Sequence, residues 1–200
     1  MRDSVGVVAI LFTDLVGSTE VLDRLGDDAA EELRRTHFSL LRRAVADADG
    51  TEVKSLGDGL MVTFASPVQA LSCAVAMQRA IADHNRAEPG RSLLVRVGLH
   101  AGDPVRHEDD LHGTAVVVAK RLCDRAAGGQ ILASDLVAGL VGKRGEFRFR
   151  SAGRLKLKGL SEPTPAVTVE WRETASSSDS GPSPPSGRRH PGPATKPAPA

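Results

Sequence analysis

The chain contains few cysteines and carries almost no net charge. Its 200 residues include two cysteines, and the formal net charge at pH 7 is +1. Cys73 and Cys123 lie inside helical patterns without the spacing of a metal site, so we expect two buried, reduced thiols and no disulfide. Because positive and negative charges nearly balance, the chain has no general attraction to nucleic acid or to a membrane surface, and neither partner is expected.

Long apolar runs are also missing. No stretch is long enough to span a bilayer, and the first residues, Met1-Arg2-Asp3-Ser4, lack a signal-peptide pattern. A cytoplasmic location is therefore expected. From residue 173 onward the sequence is dominated by Ser, Pro and Gly, which cannot bury enough apolar surface to offset the entropy lost on ordering. We predict one domain over residues 1–172, large enough for a full core, and a disordered tail over residues 173–200.

The apolar pattern of the first 172 residues alternates between strand and helix periods. Three-and-four spacing follows Gly26-Asp27-Asp28 and follows Ser66-Pro67, which predicts two amphipathic helices. Their repeating positions are Leu33, His37, Leu40, Leu41 and Ala44, then Val68, Leu71, Ala74, Val75 and Ile81. Extended segments are predicted at 7–12, 51–56, 60–64, 93–100, 130–133, 147–157 and 166–171. The alternation predicts an α+β sandwich with helices covering one sheet.

Two aspartates stand where an extended apolar run meets a glycine-containing turn. Asp14 follows the run 7–12, and Asp58 precedes the run 60–64. A carboxylate beside exposed backbone N–H groups can hold a divalent cation while the amides bind phosphates. Either turn taken singly is better explained as a simple chain reversal. The two buried strands favour a shared site for a metal and a nucleotide, because concave sites form where strands end.

Four sequence blocks occur in an order that is typical of one enzyme family. They cover residues 12–19, 54–58, 95–102 and 110–121. The chain, from about residue 5 to residue 171, resembles the class III nucleotidyl cyclase catalytic domain, whose blocks read F-x-D-x-x-G-[FS]-T, K-x-x-G-D, V-x-x-G-[IL]-H-x-G and D-x-x-G-x-x-V-N-x-A-x-R. The resemblance implies the ferredoxin-like core of that domain, with a largely antiparallel sheet and helices on one of its faces.

The activity implied by this resemblance is attack of a ribose 3′-hydroxyl on the α-phosphorus of the same nucleotide, with release of pyrophosphate. Two cations per site, Mg²⁺ or Mn²⁺, would activate the hydroxyl and balance charge on the leaving phosphates. By match to the family blocks, Asp14 and Asp58 are the metal ligands, and the carbonyl group of Leu15 assists them.

Further residues match positions that bind the triphosphate in the family. Gly17 lets backbone amides approach the phosphates, and Ser18 and Thr19 begin a helix whose N-terminus favours anions. These two residues would also serve as an ordinary N-cap, and both roles are compatible. Lys158 matches the family lysine that reaches the triphosphate. Strand alternation would point Lys156 to the same side, so either lysine could serve, or both could face water.

The resemblance also implies a purine-selecting pair, Lys54 and Asp110. Adenine presents an amino donor and the N1 acceptor, which a carboxylate and an ammonium complement, so the pair favours ATP. Read in isolation, Lys54 is a solvated strand residue and Asp110 is one charge of an acidic run. Asp109 lies next to Asp110, and the sequence leaves the choice between them open.

One catalytic position departs from the family pattern. Arg121 matches the arginine that steadies charge on the reacting phosphate, and residue 117 lies one helical turn before it on the same face. The family has asparagine there, to hydrogen-bond the ribose, whereas this chain has Val117. Losing a positioned catalytic hydrogen bond costs roughly 2.7–4 kcal/mol, or about a hundred- to a thousandfold in rate.

In this family, the metal ligands and the purine-binding residues of one site come from different subunits. Because this chain holds both sets, the resemblance implies a homodimer with two equivalent composite sites. The expected function is an adenylate cyclase that converts ATP to cyclic AMP and pyrophosphate for intracellular signalling. The alternative is a degenerate cyclase domain that binds a nucleotide or a partner without turnover, which Val117 favours.

Overall fold

A computed structural model of the chain describes residues 3–4, 6–17 and 25–172. The strands are β1 (Asp3–Ser4), β2 (Val8–Leu15), β3 (Thr51–Leu56), β4 (Gly59–Phe64), β5 (Val95–Gly102), β6 (Val105–His107), β7 (Asp110–His112), β8 (Ile131–Ser134), β9 (Arg148–Leu155) and β10 (Thr164–Glu170). The α-helices in these ranges are α1 (Asp27–Asp47), α2 (Pro67–Ala87), α3 (Thr114–Arg125) and α4 (Asp135–Val141), and a 3₁₀ turn covers Pro89–Arg91.

Seven of the strands form the main sheet, in the order β3-β4-β2-β5-β8-β10-β9. Its neighbouring strands are antiparallel except for β5 and β8, which run parallel. A parallel pair needs a long crossover, which here contains β6, β7 and α3. The strands β1, β6 and β7 form a separate small sheet. The predicted α+β class with a largely antiparallel sheet is confirmed.

Helices cover both faces of the main sheet. Ala9 and Leu11 of β2 belong to the core cluster that includes α1, α2 and α4, whereas Ile10 and Phe12 of the same strand belong to the cluster that includes α3. Because alternate strand residues point to opposite faces, both sides of β2 are apolar and both need a cover. The expectation that helices lie on one face is therefore wrong for α3.

The position of α3 depends on a glycine in β5. A Cβ atom on Gly98 would lie 2.1 Å from the backbone nitrogen of Cys123 and 2.5 Å from the carbonyl oxygen of Ala119. A side chain at this position would push the helix off the strand. Gly98, in the third sequence block, thus sets how close α3 lies to the sheet. This helix carries Val117 and Arg121.

Most predicted elements are present, with boundaries that differ by a few residues. Strand β5 begins at Val95 and not at residue 93, because the backbone N–H and C=O groups of Leu93 are hydrogen-bonded by the side chain of Asn85 at 2.7 Å. Both cysteines are buried and free, as predicted.

The end of β9 corrects one prediction about the lysines. The strand ends at Leu155, so Lys156 and Lys158 lie beyond it, and strand alternation does not relate their side chains. The reason is local, because Leu157 is buried and its carbonyl oxygen accepts a hydrogen bond from the Leu160 N–H group, which turns the backbone.

Some predictions fall on residues that lie outside the described ranges. The helix start at Ser18 and Thr19 and the tail over residues 173–200 are among them. Within the described part of the chain, every helix is too short or too polar to cross a membrane.

Candidate active site

The turns that carry Asp14 and Asp58 lie against each other at one end of the sheet. A Cβ atom on Gly59 would lie only 2.0 Å from the carbonyl oxygen of Thr13 and 3.4 Å from the Cα atom of Asp14. The Thr13 hydroxyl also accepts a buried hydrogen bond, at 2.9 Å, from the N–H group of Leu60. Glycine at position 59 therefore permits the close backbone approach of the turn that follows Asp58 to the strand end that carries Asp14.

A buried histidine supports the turn of Asp58 from the core. His37 lies on the inner face of α1, with no exposed surface, and its Nε2 atom is 2.8 Å from the Asp58 carbonyl oxygen. A carbonyl oxygen only accepts, so Nε2 carries the proton and donates. Burial lowers the pKa of His37, which favours this neutral ring. Sequence reasoning assigned His37 only to an apolar helix face, and nothing local in the sequence points to its partner.

Asp14 forms an ion pair inside the same chain. It lies opposite Arg96 in the antiparallel pairing of β2 with β5, and the Arg96 Nε atom donates to its Oδ2 atom at 2.7 Å. The Arg96 Nη2 atom donates to the same oxygen. Arg96 Nη1 also donates to the carbonyl oxygen of Asp124 at 3.1 Å, near the end of α3. Sequence reasoning missed Arg96, because the pairing joins residues that are 82 positions apart.

The proposed purine-selecting residues form a second ion pair. Lys54 Nζ lies 2.5 Å from Asp110 Oδ2, and Asp110 Oδ1 accepts a hydrogen bond from the N–H group of Leu111 at 2.8 Å. The hydrogen bond from Lys54 is the main cause that lowers the pKa of Asp110. The structure thus brings Asp110 against Lys54, where the sequence had left Asp109 as an alternative.

A cavity of about 230 Å³ lies between the sheet and α3, beside this pair. Apolar side chains of the sheet and of α3 line it, and Val117 is among them. Three cationic side chains also line the cavity, namely Lys54, Lys120 and Arg121. The combination of apolar walls and cationic groups suits a ligand with a flat apolar part and an anionic part.

One carboxylate holds two of these cations. The Lys120 Nζ atom donates to Asp124 Oδ1 at 2.6 Å, and Arg121 Nη1 donates to Asp124 Oδ2 at 3.0 Å. Burial raises the pKa of Asp124, but the hydrogen bonds and charges of the two cations outweigh it, so the pKa is lowered overall. Arg121 Nε also donates to the carbonyl oxygen of Lys158 at 3.2 Å, while the Lys158 side chain is exposed. Sequence reasoning missed Lys120 and Asp124, although helical spacing could have indicated their pairing.

The two aspartates fit a cation that binds together with phosphates. Carboxylate oxygens are the ligands that Mg²⁺ and Mn²⁺ prefer, and Mg²⁺ is commonly held by one or two carboxylates together with substrate phosphates. Among the described residues, three or more His, Cys, Asp or Glu side chains do not converge anywhere as a dedicated metal site would require. Leu15, which ends β2, and Gly17, with a φ of 73°, lie beside Asp14 on the chain, and Ser18 and Thr19 fall outside the described ranges.

Comparison with known sequences gives a match over nearly the whole described chain. The family described as "Adenylate and Guanylate cyclase catalytic domain" matches residues 2–169. A protein of Rhizobium meliloti (strain 1021) named "Putative adenylate cyclase 3" is 32% identical over 170 residues, which cover 84% of this chain. An adenylate cyclase of Mycosarcoma maydis is 33% identical over 168 residues, which cover 72% of this chain. The chain spans 29% of the length of the first relative and 7% of the second.

Solved structures show the same fold. The adenylate/guanylate cyclase/hydrolase from Silicibacter pomeroyi is 30% identical, with a TM-score of 0.74, over 84% of this chain and 96% of that chain. The adenylyl cyclase CyaB from P. aeruginosa has a TM-score of 0.78 at 22% identity, over 85% of this chain and 96% of that chain. The fold likeness agrees with the α+β architecture that the sequence predicts.

Proposed function

The chain belongs to the family of adenylate and guanylate cyclase catalytic domains, and from that premise we propose that it converts ATP to 3′,5′-cyclic AMP and pyrophosphate. The observation that carries the choice of ATP is the Lys54–Asp110 ion pair beside the cavity. An ammonium can donate to N1 of adenine and a carboxylate can accept from its 6-amino group, whereas guanine presents the opposite pattern.

Asp14 and Asp58 are the proposed ligands of two cations, Mg²⁺ or Mn²⁺, and the Leu15 carbonyl group assists. When bound, such cations activate the attacking hydroxyl and neutralise charge on the leaving phosphates. The assignment of Asp14 and Asp58 as metal ligands is supported by the close contact of the two acidic turns through Gly59 and Thr13. The backbone of Gly17 and the hydroxyls of Ser18 and Thr19 are proposed phosphate contacts by family match.

Arg121 is the proposed residue that binds the reacting phosphate, and Lys158 the one that reaches the triphosphate. The proximity of the two residues supports a shared phosphate site, because the Lys158 carbonyl oxygen accepts a hydrogen bond from the Arg121 side chain. Val117 offers neither a donor nor an acceptor, so the ribose loses a positioning hydrogen bond that the family pattern provides. Turnover is consequently expected to be slow, with a penalty on the order of a hundred- to a thousandfold.

Each active site is proposed to form across a homodimer. One subunit would supply Asp14 and Asp58, and the other would supply Lys54, Asp110 and Arg121, which makes two equivalent sites about a twofold axis. Activity should then depend on protein concentration. The whole arrangement is proposed for one domain over residues 1–172, in a cytoplasmic protein that produces cyclic AMP as an intracellular signal, with residues 173–200 as a tail.

A second candidate function is a nucleotide-binding or regulatory module without turnover. The observation that favours it is Val117, whose side chain lines the cavity and is 39% exposed. Valine has no hydrogen-bonding group, so it cannot make the contact with the ribose that the family's asparagine makes. The ion pair of Asp14 with Arg96 also means that a cation must compete for the Asp14 carboxylate.

Incubation of the purified protein with Mn²⁺ and ATP, assayed for cyclic AMP and pyrophosphate, separates the two functions. Equal amounts of both products are expected, with GTP a poor substrate. Asp58→Ala should abolish the product while leaving the circular dichroism spectrum unchanged, because it removes a metal ligand but little packed volume. Asp83→Ala, on the exposed surface of α2, is the matched control and should be fully active. Nucleotide binding without either product would favour the regulatory module.

A further inference from the structure

Four residues of α3 line the cavity: Val116, Val117, Lys120 and Arg121. Lys120 lies four residues after Val116 and three after Val117, and Arg121 lies four after Val117, so the residues share one face of the helix. In the family block, the position of Lys120 lies between the fixed alanine and the fixed arginine and is not specified. Lys120 is thus a residue of this particular chain that stands where the nucleotide is proposed to bind.

The Lys120 side chain retains donors for a ligand. An ammonium carries three N–H donors, and within the described residues Lys120 gives one hydrogen bond, to Asp124 Oδ1. Burial lowers the pKa of Lys120, but the hydrogen bond and charge of Asp124 outweigh it, so the pKa is raised overall. The group therefore carries its positive charge at neutral pH.

The charges around the cavity leave an excess of positive charge at α3. Lys54 is balanced by Asp110, whereas Lys120 and Arg121 share the single carboxylate of Asp124. Among the described residues, the α3 end of the cavity is therefore cationic, and the Lys54 end is a neutral pair. An anionic part of a ligand is attracted to the α3 end, whereas the Lys54–Asp110 pair offers a hydrogen-bond donor and an acceptor to an uncharged base.

We propose that Lys120 binds a phosphate oxygen of the nucleotide, as a second cation beside Arg121. The proposal rests on the proposed nucleotide site and extends it. Lys120 lies about one helical turn after Val117, on the same face of α3. It supplies a polar contact on the face where Val117 is apolar. The competing account is that Lys120 only neutralises Asp124 and never touches the ligand.

The test uses two probes that cannot be cyclised, because they lack the 3′-hydroxyl group. They are 3′-deoxy-ATP and 3′-deoxyadenosine, which differ only in the triphosphate. Lys120→Met keeps an unbranched side chain that is one atom shorter and removes the charge. It should weaken 3′-deoxy-ATP binding by about tenfold in calorimetry with Mn²⁺, equal to about 1.4 kcal/mol, and leave 3′-deoxyadenosine binding unchanged. Lys143→Met, in the exposed turn after α4, is the matched control and should change neither affinity.

The competing account is separated by repeating the substitution in an Asp124→Asn background. If Lys120 only neutralises Asp124, then Lys120→Met has no effect once that carboxylate is gone. A direct phosphate contact predicts that the loss of about tenfold persists. Lys120→Arg keeps the charge and should retain most of the affinity in either background. It is the control that separates loss of the charge from a general effect of changing residue 120.

Several results would overturn the proposal. They are equal affinities of Lys120→Met and the parent for 3′-deoxy-ATP, equal losses for both probes, or disappearance of the effect in the Asp124→Asn background. Because binding is measured without turnover, a parent protein that binds 3′-deoxy-ATP but makes no cyclic AMP refutes the proposed enzyme and still tests Lys120. A parent that makes cyclic AMP and tolerates Lys120→Met refutes the role of Lys120 alone.

Discussion

Arg96 donates two hydrogen bonds, from Nε and Nη2, to a single oxygen of Asp14, the Oδ2 atom. Its third nitrogen, Nη1, donates to the carbonyl oxygen of Asp124 on α3. One guanidinium group thus neutralises a proposed metal ligand and ties it to the helix that carries Lys120 and Arg121. Any cation that binds Asp14 has to compete with a charge that is already in place.

The first prediction is that Arg96→Met increases the affinity of the free protein for Mn²⁺, by about tenfold or about 1.4 kcal/mol. The physical reason is that a competing cation has been removed from the Asp14 carboxylate. The measurement is a Mn²⁺ titration followed by electron paramagnetic resonance. Arg42→Met breaks a comparable two-bond pair with Glu52, between α1 and β3, and should leave Mn²⁺ affinity unchanged.

A double variant makes this prediction sharper. If the gain depends on the freed carboxylate, it should vanish when Asp14→Asn is combined with Arg96→Met. An unchanged or weaker Mn²⁺ affinity in Arg96→Met alone would show that the ion pair does not compete with the metal.

The second prediction concerns the shared interface. Asp14→Ala and Arg121→Ala should each be inactive, and a mixture of the two should regain part of the activity, because one of the two sites in the heterodimer contains only intact residues. Cyclic AMP formation measures the recovery, and mass spectrometry of the native complex verifies subunit exchange. Mixing Asp14→Ala with Asp58→Ala is the control and should stay inactive, since both changes affect the same half of the site. An inactive first mixture with verified exchange would contradict the composite site.

The third prediction addresses the departure from the family pattern. Val117→Asn should raise kcat by up to about a hundred- to a thousandfold, while nucleotide affinity changes much less, because the new hydrogen bond positions the ribose in the transition state. The fold should tolerate the change, since Val117 is 39% exposed. Leu136→Asn on α4, where the leucine is 50% exposed, tests the same kind of exchange away from the cavity and should leave kcat unchanged. An unaltered kcat in a Val117→Asn protein that binds ATP and dimerises would favour the regulatory module.

The fourth prediction follows from the two buried thiols. Burial raises the pKa of Cys73 to about 12 and that of Cys123 to about 12, from an ordinary value of 9.0. The folded protein therefore keeps thiol protons that the unfolded chain releases, and the free energy of unfolding should fall as pH rises from about 9 toward 12. At pH 8 neither thiol should react with a disulfide reagent until the protein unfolds, whereupon both should react. Cys73→Ala should reduce the alkaline loss of stability, and rapid modification of the folded protein would contradict the burial.

Local patterns in the sequence were sufficient for much of the fold. The periods of α1 and α2 and the apolar runs of β2 and β4 follow from spacing, because a helix or strand shows its buried face at a fixed interval. The side of the sheet that each helix covers was not determined in this way. The apolar residues of β2 occupy both alternating positions, so both faces need a cover, and Gly98 lets α3 lie directly on β5 on the face opposite α1.

The sequence by itself determined the family, and its blocks around Asp14, Asp58 and Arg121 indicate which side chains we propose as the carriers of the chemistry, because these blocks are short and contiguous. Only the tertiary structure decided what holds those side chains. Arg96 reaches Asp14 across 82 positions, and His37 reaches the Asp58 turn across 21. Such contacts depend on strand register and on helix packing, which arise from the whole fold, so no interval within one segment of the sequence encodes them.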